Sequence, residues 1–155
     1  MSQLRTFGVA DTGQSLVEIA LALPLLLITL LGMVDVGRAY VYTTAVTSAA
    51  REAAYYDAKT SGATIQSVAL RACNETGFMD YQTSFAGTVT DSTHATCSGG
   101  IAVTMGTCTA SSGSSGYTVT VGYTFTLVSG YLFQSLLGGG GTLVAENTAC
   151  IRSLQ

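Results

Sequence analysis

Glu18 is the residue whose surroundings constrain it most. It stands five residues after Gly13, at the head of an apolar run covering 19–34. Hydrocarbon makes an unpaired charge costly, by about 2.5–3.5 kcal/mol on insertion scales. A carboxylate kept at that place calls for a partner, and the plain alternative is a solvated group at a helix start, where the dipole favours it. The second set is Cys73, Cys97, Cys108 and Cys150, all beyond the apolar run and without a CxxC pair. An even number in an oxidising compartment forms two disulfides, with three possible connectivities. The favoured one joins Cys97 to Cys108 across a short loop and leaves Cys73 to tie the middle of the chain to Cys150. A closed loop of about 15 residues is worth about 3 kcal/mol, a large share of the stability of a small domain. Free buried thiols are the alternative.

No catalytic constellation emerges. His94 is the only histidine, so a Ser-His-Asp arrangement would have to lean on it. His94 and Cys97 are spaced like two zinc ligands, but no further pair supports them. Asn74-Glu75-Thr76 matches a glycosylation sequon, a short pattern common by chance. The glycines at 138–141 lack the lysine of a phosphate-binding loop. No enzyme activity, cofactor or metal is expected. The formal charge of -3 gives no basic footprint for nucleic acid. Asp35 and Arg38, at i and i+3, are expected to pair where the helix leaves the lipid. Arg51 and Glu52 sit on a face that is either solvated or in contact with the head or another subunit.

These residues need elements to hold them. The charged fraction is only 10%, low for a fully soluble protein. The run 19–34, extended by Leu16 and Val17, approaches the length of a membrane span. Pro24, the only proline, removes one helical hydrogen bond and is expected to kink the helix, which membrane helices tolerate. Alanines at 45, 49, 50, 53 and 54 carry the helix on to about Ala58, because they are strong helix formers and permit close packing. A helix over 16–58 would be about 64 Å long. Ser61-Gly62 breaks it. Ile65, Val68, Ala69, Ala72 and Cys73 then recur at helical spacing, with Thr64 as N-cap and Gly77 as stop.

Beyond Tyr81 the period changes from 3.6 to 2. A weak strand is predicted over 85–90. Ile101, Val103 and Met105 alternate with polar or small residues, and so do Tyr117, Val119, Val121, Tyr123, Phe125 and Leu127; such alternation marks half-buried strands. The Ser/Gly stretch 111–116 reads as a hairpin loop. Tyr131, Leu132, Phe133, Leu136 and Leu137 form an apolar segment, read as core filling or as a docking surface. The tail 142–152 is read as a closing strand or a short helix, with the strand favoured. The fold class is α+β: a long N-terminal transmembrane and stalk helix, a second amphipathic helix and a small antiparallel sheet as head.

The stretch 13–59 reads GQSLVEIALALPLLLITLLGMVDVGRAYVYTTAVTSAAREAAYYDAK. Val17-Glu18, Leu23-Pro24-Leu25-Leu26-Leu27, Gly32, Asp35-Val36-Gly37-Arg38 and Ala49-Ala50-Arg51-Glu52-Ala53-Ala54 resemble, in that order, the N-terminal module of TadE-like pseudopilins of the tight-adherence (Flp) pilus. The chain departs from that pattern at Ile19, where an aromatic residue is frequent, and at Gln14 as first mature residue. The resemblance implies a leader over 1–13 cut after Gly13 by a prepilin peptidase, a transmembrane and stalk helix over 14–59, and an extracytoplasmic head over 60–155. It implies that Glu18 neutralises the new amine of Gln14, on its own or a neighbouring subunit, an attraction strengthened in a low dielectric. The implied partners are other pilin or pseudopilin subunits, the peptidase and the inner-membrane assembly platform. The implied role is structural, in pilus assembly and adhesion from the bacterial inner membrane.

One observation opposes that orientation. Arg5 stands alone before the span while Arg38 and Arg51 follow it, and the positive-inside rule would keep the head in the cytoplasm. The cysteine count and the resemblance outweigh so small a charge count. The competing functional reading is a signal-anchored extracytoplasmic binding domain that never polymerises. A secreted enzyme dependent on His94 is a further rival.

Overall fold

The computed structural model describes residues 11–77, 82–109, 113, 115–130 and 141–153. Helix α1 runs from Asp11 to Lys59, 49 residues without a break, or about 74 Å. It starts earlier than the apolar run and passes through Pro24 as continuous helix. It ends where Gly62 takes a positive φ of 73°, a conformation that costs glycine little. Helix α2, Ile65–Thr76, begins with a capping box between Thr64 and Ser67 and ends on Gly77 at φ 64°, so both termini satisfy backbone groups that a helix end leaves open. Ile65, Val68, Ala69, Ala72 and Cys73 are all buried, which bears out the helical spacing.

Five strands follow: β1 (Gly87–Val89), β2 (His94–Cys97), β3 (Ile101–Thr109), β4 (Ser115–Thr126) and β5 (Thr142–Arg152). They form one antiparallel meander in the order β1-β2-β3-β4-β5. Alternation decides the faces. Ile101, Val103, Val119, Val121, Phe125, Ala145 and Ala149 are buried against α1 and α2. Thr104, Thr120 and Thr148 stand in register across the opposite face, where the Thr120 and Thr148 hydroxyls share a 2.8 Å hydrogen bond. The tail, open between strand and short helix in the sequence, is a strand. β2 has no counterpart in the sequence reading, being too short to show a period. The apolar segment at Tyr131, Leu132, Phe133, Leu136 and Leu137 lies outside the described residues, as do residues 1–10 of the expected leader.

The core joins the upper half of α1 to α2 and the sheet. Val46, Ala49, Ala50, Ala53, Ala54 and Ala58 of α1 are fully buried, and their small side chains let a helix and a sheet come close. The rings of Tyr42 and Phe125 lie 4.7 Å apart between centroids, and those of Tyr42 and Tyr123 lie 5.1 Å apart. β4 therefore descends along α1 from the level of Tyr42 toward that of Asp35, which bonds to Val128 and Ser129 just past the strand.

Candidate anchoring and assembly site

Most of the lower half of α1 is exposed. Leu16, Val17, Ile19, Leu21, Leu23, Leu25, Leu26, Leu27, Ile28, Leu30, Met33 and Val34 are all exposed, and the helix is long and apolar enough to cross a membrane. Residues 16–34 span about 28 Å as helix, close to the roughly 30 Å of a hydrocarbon core. Gly13 has open space around it. The Gly13-Gln14 peptide lies in the first turn of the helix, so a protease that reads extended backbone would have to unwind that turn. Gln14 and Glu18 are one helical turn apart and both exposed. Among the described residues nothing pairs with the Glu18 carboxylate.

Asp35 behaves differently from its expected role. Its side chain is 5% exposed. Oδ1 accepts the Val128 N–H at 2.8 Å, and Oδ2 accepts the Ser129 N–H at 2.8 Å together with the Ser129 hydroxyl. Two backbone donors and a hydroxyl satisfy the carboxylate through the head. Arg38, the expected partner, instead donates to the Tyr42 hydroxyl at 3.2 Å and lies over the Tyr42 ring at 5.7 Å. The pairing at i, i+3 gives way because amides just past β4 offer two aligned hydrogen bonds, while the Arg38 guanidinium is engaged with Tyr42. Asp35 is thus a clamp between stalk and head. A single acidic residue at the end of an apolar run was the only sequence signal for it, and its acceptors' partners lie some ninety residues away.

The cysteines pair as Cys73–Cys97 and Cys108–Cys150, with Cα separations of 6.5 Å and 6.2 Å. This overturns the expected Cys97–Cys108 and Cys73–Cys150 pairing. Cys97 faces the helices at the end of β2, buried beside α2. The register places it by the turn into Ile101, whereas Cys108 lies seven residues further along β3, roughly 24 Å at strand rise. Cys108 also shares the face of Thr104, opposite to that of Cys97. The Cys108–Cys150 bond joins β3 to β5 across β4. A Cβ on Gly116 would come within 3.2 Å of the Cys108 sulfur and 2.6 Å of the Ile151 carbonyl, so glycine is what lets the three strands close at this end. One disulfide pins α2 to the sheet, and the other staples the sheet end farthest from Asp35.

The remaining candidates carry no reactive arrangement. His94 sits at the β1–β2 turn, with Nδ1 3.0 Å from both oxygens of Asp91. Hydrogen bonds from Thr93 and His94 hold the Asp91 carboxyl well below its usual range. Both side chains are about half exposed, and no group of three metal-binding side chains occurs among the described residues. Asn74 of the sequon is committed to structure: its amide donates to the Gln82 carbonyl and its oxygen accepts the Gln82 N–H, each at 2.9 Å. Arg51 is exposed and Glu52 half-buried. Asp57, absent from the sequence reading, is 4% exposed, and among the described residues its Oδ2 has no hydrogen-bond partner. Burial raises its pKa.

A bare apolar helix half, continuous with a half that carries a disulfide-stapled α+β head, has the form of a single-pass membrane anchor with a docked domain. The stretch 13–54 matches the family model described as TadE-like protein. That match takes in Gly13, Glu18 and Asp35 and stops within the alanine-rich docking surface. No curated protein and no solved structure matches the chain.

Proposed function

We propose that this chain is a membrane-anchored pseudopilin of a tight-adherence pilus apparatus, acting structurally. The TadE-like match over 13–54, on a helix whose apolar lower part is mostly exposed, supports this reading most. In it, residues 1–13 are a leader removed after Gly13, residues 14–59 form the anchor and stalk, and residues 60–155 form an extracytoplasmic head. The Glu18 carboxylate, without a partner among the described residues, neutralises the Gln14 amine of its own or a neighbouring subunit, and the exposed apolar surface packs against lipid or other pilin helices. The partners are other pilin or pseudopilin subunits, a prepilin peptidase and the inner-membrane assembly platform. The two disulfides are consistent with an oxidising compartment for the head.

Mass spectrometry of the mature N-terminus from the native membrane tests processing. A start at Gln14 is expected; an intact Met1, or a start near Tyr40, sinks the pilin reading and leaves a signal-anchored or secreted domain. Glu18→Ala tests assembly: the membrane protein should accumulate normally while its incorporation into pili is lost. Normal incorporation of that variant would remove Glu18 from the mechanism.

A further inference from the structure

The Asp35 clamp changes where the membrane surface can lie. An ionised carboxylate on a bare helix would mark the edge of the hydrocarbon, but here the head covers it. The helix face turned away from the head stays apolar beyond it: Val36 is 71% exposed, Tyr40 73% and Val41 58%. The one cation in this stretch, Arg38, is half-buried and tied to Tyr42, and the next ionisable side chain on α1 that is not a tyrosine is Arg51. Residues 19–41 would span about 34 Å as helix, a hydrocarbon core with modest tilt, with Tyr40 at the depth where aromatic residues collect.

Among the described residues, the head meets this boundary with uncharged side chains. Val128, 39% exposed, lies beside Asp35, and Leu143 is exposed at the start of β5. The sequence has no Asp, Glu, Lys or Arg from Ala95 to Ala145. We propose that the end of the head formed by β4 and β5 rests in the headgroup layer of a phospholipid bilayer, with the Asp35 clamp at that depth rather than above it. The contact is apolar and continuous with the span, so it needs no anionic lipid. It rests on reading the lower half of α1 as a membrane anchor.

The chain contains no tryptophan, so a single introduced one reports alone. The full chain is placed in phosphatidylcholine vesicles carrying nitroxide-labelled lipids, as Val128→Trp, Leu143→Trp, Thr107→Trp at the far end of β3, and Leu26→Trp in the span. Shallow labels should remove at least about half of the emission of Val128→Trp and Leu143→Trp, as expected for side chains at the headgroup boundary, and leave Thr107→Trp unchanged. Leu143→Trp carries the test if Val128→Trp does not fold. Leu26→Trp quenched by deep labels, with both head positions unquenched, overturns the proposal and leaves the anchor standing. Leu26→Trp unquenched removes the anchor and the proposal together. Shielding of the head positions that grows with protein-to-lipid ratio, without quenching, assigns this end to a second copy of the chain and also overturns it.

Discussion

One helix carries two surfaces that differ in side-chain size more than in polarity. Below Asp35 it displays leucine, isoleucine and valine, nearly all exposed; above Val41 it presents Val46, Ala49, Ala50, Ala53, Ala54 and Ala58, fully buried beneath the head. Both stretches favour helix, so propensity does not separate them. Bulky aliphatic side chains maximise apolar surface toward a surrounding solvent such as lipid. Small ones give up area so that backbone can approach backbone, and the energy returns through packing density. The difference teaches that an apolar helix is divided between membrane and protein by the size of its side chains as well as by where its charges fall.

The comparison can be broken most severely at the staples of the head. Replacing both Cys108 and Cys150 by serine should lower head stability by about 2–5 kcal/mol, read by denaturant titration of tyrosine fluorescence, while the helicity of the bare half persists. A melting curve unchanged in reductant would show that the disulfides do not hold the head. Next comes side-chain size itself. Ala53→Leu, forcing bulk between α1 and the head, should cost about 1–3 kcal/mol, whereas Leu26→Ala should leave head stability unaltered. Equal effects of the two would erase the distinction between the halves.

Asp57 offers a smaller, pH-dependent test. Burial raises its folded-state pKa above the ordinary 3.8, so the folded protein holds this proton more tightly than the unfolded chain. The penalty is absent below the ordinary carboxylate range and sets in as pH rises through the raised folded value. Asp57→Asn should therefore stabilise the head by about 1 kcal/mol at neutral pH, with the gain shrinking as pH falls toward 4. A constant gain at all pH values would show that charge is not the cause. The most local effect is expected at the clamp. Asp35→Ala should speed hydrogen exchange at the Val128 and Ser129 amides by about tenfold or more, with β3 and the strand centres unaffected. Unchanged exchange there would mean that the end of β4 does not depend on the stalk.

Much of this was legible along the chain. The stalk helix, the capped α2 and the pairing partners β3 and β4 follow from local signals: periodicity, caps and alternation, each set within a dozen residues; the tail, compatible with strand or short helix, was settled by its pairing with β4. β2 was not legible because four residues cannot display a period. The disulfide partners were not legible because proximity in sequence says nothing about which face of a sheet a cysteine occupies. The Asp35 clamp was hidden for a related reason, since its donors are backbone amides, which no residue type announces.

By itself the sequence determined the kind of protein this is: an apolar helix with Glu18 near its start, small residues above, and an alternating threonine-rich head bearing four cysteines. Those properties are additive along the chain and need no partner to be read. Only the tertiary structure decided which cysteines join, that Asp35 serves the head rather than Arg38, and that Asp57 is buried with an oxygen unsatisfied among the described residues. Each of these depends on strand register and face, and a shift of one residue in register reverses which side chains meet.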